Sequence, residues 1–181
     1  MNQNFIAPER YVFYDIESTS AIATRTQMVQ IALIETNGQL EILKDENNEE
    51  LKHMFYIKLR PDMIPDPGAF LVHKVNPEWV GNYAIKNNIN FPIANAEINS
   101  DVFNNLSEIP DGKVYTEREA NILIQKIMTR TRNTCIAGYN SEKFDDEVIR
   151  HNFYRNMIDP YQHEWSNGNH RADIIKAVQL I

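Results

Sequence analysis

The sequence predicts an α/β domain built on a mixed five-stranded sheet flanked by helices. Three observations carry this. β-Rich segments fill roughly the first third of the chain, and from Thr116 the pattern alternates helix, strand, helix. The composition, 43% hydrophobic and 24% charged, is that of a chain able to bury a core.

The elements follow in order. Tyr11 to Ile16 (YVFYDI) is a short apolar and aromatic run, the pattern of a buried strand. Met28 to Glu35 (MVQIALIE) reads as a second strand, and Asn37-Gly38 is a hairpin turn signal. Gln39 to Leu43 and His53 to Leu59 supply further strands, separated by the polar connection KDENNEE. The prolines of PDMIPDPGAF forbid a regular helix until after Pro67. A short helix is expected over Gly68 to Val75, with HKVNPEWV leading into a second. Residues from about 83 to 113 are Asn-rich without a clean period and read as an insertion. Thr116-x-x-Glu119 is a capping-box signature opening a helix with apolar Ala120, Leu123 and Ile127. Thr134 to Tyr139 is a strand and Phe144 to Asn156 a helix. Ala172 to Ile181 carries a helical stripe with no cap after it, so the chain is expected to be a piece of a longer protein.

Charge and composition exclude several classes. With 18 Lys+Arg against 25 Asp+Glu the net charge is −7, which excludes a globally basic nucleic-acid binder. An enzyme that gathers carboxylates around metal ions is not excluded. No apolar run approaches the roughly 20 residues a membrane span needs, and the N-terminus carries no secretory pattern. The single cysteine, Cys135, excludes an intrachain disulfide and a multi-cysteine zinc site; it is expected to be a buried apolar residue.

The candidate chemistry lies in two clusters. Asp15 and Glu17 end the first strand as YDIE. Alternate side chains of a strand share a face at a repeat of about 6–7 Å, so the two carboxylates repel unless a cation sits between them. The second cluster is GYNSEKFDDEV, residues 138–148. Asp145 there can point back toward the first strand, while Asp146 and Glu147 read as ordinary acids of a helix N-terminus. Asn140 could cap or orient the turn. His151, His163 and His170 read as surface histidines.

These residues carry a resemblance. FYDIES, QIALIET, IPDPGAFLVHKVNPEWV and CIAGYNSEKFDDEVIRHNFYRNMIDPY resemble bacterial exonuclease I, of the DEDD superfamily of 3′–5′ exonucleases with a ribonuclease H-like fold. The resemblance runs from about residue 11 to 176, the Asn-rich stretch excepted. It implies that Asp15, Glu17 and Asp145 are metal ligands and catalytic residues for two Mg²⁺ ions, with Mn²⁺ an alternative. It places DNA contacts at Arg150, Tyr161 and Trp165, and at Gly68, Ala69 and Leu71 near the terminal nucleotide.

The family's third motif, His-x-x-x-x-Asp, supplies a general base and a fourth carboxylate, and no such pair occurs in this sequence. The expected protein is thus an exonuclease domain over 1–181, C-terminally incomplete and without the family's downstream domains. It is expected to be a cytoplasmic monomer, acting on single-stranded DNA in repair and recombination, with single-strand-binding protein met through the missing domains. The 181 residues alone are expected to be inactive. Two alternatives remain: a relative acting on RNA or short oligonucleotides, and a non-catalytic binding module.

Overall fold

The structure is a computed structural model, and it describes residues 7–73, 75 and 114–179. The second helix expected from HKVNPEWV and the Asn-rich stretch at 83–113 lie outside the described residues. The elements are β1 (Arg10–Ser18), β2 (Met28–Asn37), β3 (Lys52–Ile57), α1 (Pro67–His73), β4 (Val114–Tyr115), α2 (Glu117–Thr129), β5 (Thr134–Gly138), α3 (Asp145–Arg155), α4 (Gln162–Trp165), β6 (His170–Asp173) and α5 (Ile174–Val178). They form one mixed sheet in the order β4-β3-β2-β1-β5-β6. β1, β2 and β3 pair antiparallel, whereas β5 runs parallel to both β1 and β6.

β1 shows how the sequence builds this. Its residues alternate strictly: Val12, Tyr14 and Ile16 are buried, while Tyr11, Phe13, Asp15 and Glu17 are exposed or half-exposed. The buried set meets Ile31 and Leu33 of β2, Ala120, Ile124 and Met128 of α2, and Val148, Ile149 and Phe153 of α3 in one core. Phe153 is fully buried, a contribution of about 1.5–3 kcal/mol for a side chain of that size. β5 is buried along its whole length, as a strand between two parallel neighbours should be. Cys135 lies in it, buried.

α2 starts where the capping box places it. Thr116 Oγ1 accepts from the Glu119 N–H at 3.3 Å, and Glu119 Oε2 accepts from the Thr116 N–H at 2.9 Å. At the start of β1, Glu35 is fully buried against two guanidinium groups and an imidazole. Arg10 Nε donates to it at 3.0 Å, His53 Nε2 lies 2.8 Å away, and Arg130 also pairs with it. Burial alone would raise the Glu35 pKa; the hydrogen bonds from His53 and Arg10, with the charges of Arg10 and Arg130, hold it below the usual carboxylate value.

Three expectations need correction. The sheet has six strands rather than five, because β4 and β6 are too short, at two and four residues, to show a period in the sequence. Gln39 to Leu43 is not a strand. Leu40 has φ 66°, the Asn37 side chain accepts from the Gln39 and Glu41 N–H groups, and only an isolated bridge joins Ile42 to Thr36. The C-terminal helix begins at Ile174, since Ala172 and Asp173 are drawn into β6 by pairing with Ala137 and Gly138.

Candidate active site

The site lies where β1 and β5 end side by side. Their last parallel pair is Tyr14↔Gly138, so Asp15 and Glu17 project just beyond it. Ligand sites of open α/β sheets favour this end, the carboxyl ends of the strands. A register shift between Glu17 and Ser18 breaks the ladder to β2 immediately beside the carboxylates. Such irregularities re-aim side chains next to sites.

The chain leaving β5 reaches Asp145 through residues 139–144. A Cβ on Gly138 would lie 2.5 Å from Ser141 Cβ and 3.0 Å from Tyr14 Cζ, so only glycine permits this close turn. Ser141 is fully buried, and its carbonyl accepts from the N–H groups of Phe144 (3.2 Å) and Asp146 (3.0 Å). These bonds set the first turn of α3, which has no side-chain cap. Asn140 therefore does not cap the helix. It orients the turn through its backbone, with φ 55°.

The electrostatics show that the two clusters share one field. Asp145 is half-buried, and its carboxyl is pushed up to about 7, first by burial and then by the charges of Asp15, Asp146, Glu17 and Asp173. Burial and Asp15 likewise raise Glu17. Among the described residues no three His, Cys, Asp or Glu side chains converge into a ready metal cage. The donor set is nonetheless of the kind a hard divalent cation takes: carboxylates close enough to feel one another's charge.

Asp146 is not the solvated acid the sequence suggested. It is buried, it accepts from the Tyr14 hydroxyl, and it pairs with Arg171. Burial and then the Asp146 charge push the Tyr14 phenol up, so it stays protonated and donating. The strand neighbour of Asp15 thus holds the helix neighbour of Asp145.

Arg150 is already engaged. Its Nε and Nη2 meet the two Glu164 carboxylate oxygens at 2.7 and 2.9 Å, Nη1 pairs with Glu147, and its Cζ sits 5.3 Å from the Tyr161 ring centre. Tyr161 and Trp165 stand 52% and 64% exposed, which leaves much of each ring open to solvent. His163, between them, is 3% exposed and packs edge-on against Phe153, so it is not a surface histidine. His151 is half-exposed and His170 exposed.

Gly68, Ala69 and Leu71 lie on α1, none of whose residues is buried. The Asp66 N–H donates to the Thr19 carbonyl at 2.8 Å, and the Asp66 carboxylate accepts from the Gly68 N–H at 2.8 Å. These bonds moor α1 just past the end of β1, the end that carries Asp15 and Glu17.

Sheet order, strand directions and the placing of the carboxylates define the class: a ribonuclease H-like exonuclease fold. Comparison with known proteins gives the particular relatives. No family model matches the chain. It is 32% identical to exodeoxyribonuclease I of Buchnera aphidicola (from Acyrthosiphon pisum) over 93% of its length, and 31% identical to that of Haemophilus influenzae over 93%. It superposes with a TM-score of 0.70 on a zinc-bound complex of Escherichia coli exonuclease I with single-stranded DNA, at 25% identity over 96% of this chain and 29% of that one. The exonuclease I of Methylocaldum szegediense gives 0.70 at 28% identity, over 94% of this chain and 29% of that one. By sequence and structure the chain is thus similar to the N-terminal part of bacterial exonuclease I. It spans only 32% and 28% of the two curated relatives' lengths.

Proposed function

We propose that this chain is the greater part of the nuclease domain of a 3′–5′ exodeoxyribonuclease that releases 5′-mononucleotides from single-stranded DNA. One observation carries the reading: Asp145 is held in the field of Asp15 and Glu17 at the shared end of two parallel strands. Asp15, Glu17 and Asp145 would hold Mg²⁺, or Mn²⁺, across the scissile phosphate. Bound there, the ions supply activation of the attacking water and charge stabilisation at the leaving 3′ oxygen.

The remaining roles fall to the chain itself. α1 presents Gly68, Ala69 and Leu71 beside the carboxylates, for the terminal nucleotide. Tyr161 and Trp165 offer exposed rings on which bases can stack, an interaction worth about 1–3 kcal/mol per base. Arg150, closed onto Glu164 and Glu147, braces Tyr161 rather than offering a free charge to phosphate. The setting we infer is cytoplasmic, in repair and recombination, as a monomer whose meeting with single-strand-binding protein needs sequence outside these 181 residues.

Within the chain no His-x-x-x-x-Asp pair supplies a general base. That observation favours a second reading for the 181 residues taken alone: a fold that binds nucleic acid and divalent ions with little turnover. The test uses labelled single strands of DNA and RNA with the purified chain in Mg²⁺. Binding that favours DNA, weakened by Tyr161→Ala and Trp165→Ala and with little digestion, is the expected result. Rapid digestion would refute the inactivity, and equal or stronger RNA binding would refute the DNA preference.

A further inference from the structure

The residues that lead into Asp145 have little of their own to hold them. Tyr139, Asn140, Glu142 and Lys143 are exposed, and only Ser141 is buried beneath the turn. Asn140 also carries the left-handed backbone. Yet the carboxylate at the end of this segment sits in a repulsive field that tends to push it away from Asp15 and Glu17.

Apart from the exposed ion pair of Lys176 with Glu142, one side chain from another strand grips the segment, and it does so through the backbone. Asp173 ends β6, paired in register with Gly138. Its Oδ1 accepts from the Asn140 N–H at 2.8 Å and its Oδ2 from the Glu142 N–H at 3.1 Å. Oδ1 also accepts from the Ile175 N–H at 3.1 Å, which anchors the carboxylate to the start of α5. Two loop amides and one anchoring amide converge on one carboxylate, and no other side chain hydrogen-bonds to those two loop amides among the described residues. We infer that Asp173 is a positioning residue, fixing residues 139–144 and with them Asp145 beside the end of β1 that carries Asp15 and Glu17. This rests on the metal reading above. Outer partners of metal ligands act in this way, and their loss costs about 10–100-fold in metal affinity.

The test measures Mn²⁺ affinity of the 181-residue chain by the electron paramagnetic resonance of free Mn²⁺, with amide hydrogen exchange alongside. Asp173→Ala is expected to weaken Mn²⁺ binding by about tenfold or more and to unprotect the Asn140 and Glu142 amides. Glu142→Gln is the electrostatic control: it removes one negative charge from the same segment and keeps the N–H, and because it also releases the ion pair of Glu142 with Lys176 it sets an upper bound on the effect of charge alone. It is expected to weaken binding far less. Asp173→Asn keeps one oxygen for Asn140 and Ile175 but turns an amide nitrogen toward the Glu142 N–H. It is expected to fall between the native chain and the alanine variant, and it serves in its place if the latter does not melt cooperatively.

Mn²⁺ affinity in Asp173→Ala no lower than in Glu142→Gln would overturn the positioning role and leave the metal reading standing. A native chain that binds no Mn²⁺, with both amides unprotected only in the Asp173 variants, would overturn the metal reading instead.

Discussion

The Tyr14 hydroxyl donates to the Asp146 carboxylate, joining the middle of β1 to the first turn of α3 across 132 positions of sequence. Arg171 of β6 holds the other oxygen of the same carboxylate. One buried acid of α3 therefore ties β1 to β6, the two strands that flank β5.

Tyr14→Phe removes that donor while keeping the ring in the core. Asp146 retains Arg171 but loses a buried hydrogen bond, so a loss of about 1–3 kcal/mol is expected. Urea unfolding of the two proteins measures it. A loss within error would mean that Arg171 alone satisfies Asp146.

Asp145→Asn relieves the repulsion that Asp15 and Glu17 impose. The ion-free variant should melt higher than the native chain, and added Mg²⁺ should barely stabilise it. For the native chain, Mg²⁺ at a hundredfold excess over its Kd adds about 2.7 kcal/mol. Thermal melts with and without the ion separate the two effects, and an equal Mg²⁺ gain in both proteins would remove Asp145 from the ligand set.

His163 imposes a pH dependence of definite sign. Burial, opposed by Glu164 and reinforced by Arg150, holds its folded pKa down to about 4, with Asp146 and Asp159 also acting to raise it. Its Nδ1 has no hydrogen-bond partner among the described residues. The unfolded chain takes up the proton near the ordinary histidine value of 6.5 and the folded chain only near 4. Stability from this group is thus complete above the higher value and falls as the pH drops toward the lower, by at most about 3 kcal/mol. Urea titrations at several pH values in that interval should show the fall in the native chain and a shallower one in His163→Leu; matching slopes would contradict it.

Gly138→Ala forces a methyl into Ser141, whose Cβ would be 2.5 Å away. Overpacking of this kind costs about 1–3 kcal/mol. Adding Ser141→Gly should return part of the loss by clearing the nearest atoms. Strictly additive effects in the double variant would show that the two residues do not press on one another.

Much of the scaffold was legible because it follows local rules. The alternation of β1, the run of β2, the Thr116–Glu119 box and the apolar β5 each declare themselves within a few residues. Asp15, Glu17 and Asp145 stood out through the same local logic, as acids at the ends of apolar or helical segments. What escaped depends on partners distant in sequence. Asp146 looks solvated until Tyr14 and Arg171 are placed around it. His163 looks exposed until Phe153 packs against it, and Arg150 looks free until Glu164 closes on its guanidinium. β6 is four residues long, and its pairing with β5 rather than its composition makes it a strand.

The two-residue alternation of β1 divides the strand's tolerance to mutation by parity. Substitutions at even positions, Val12, Tyr14 and Ile16, register as lost folding. Those at Asp15 and Glu17 are expected to leave the fold standing and, on the proposed metal reading, to register as lost ion binding. On that reading the same nine residues carry two separable traits, until the register slip after Glu17 ends the alternation.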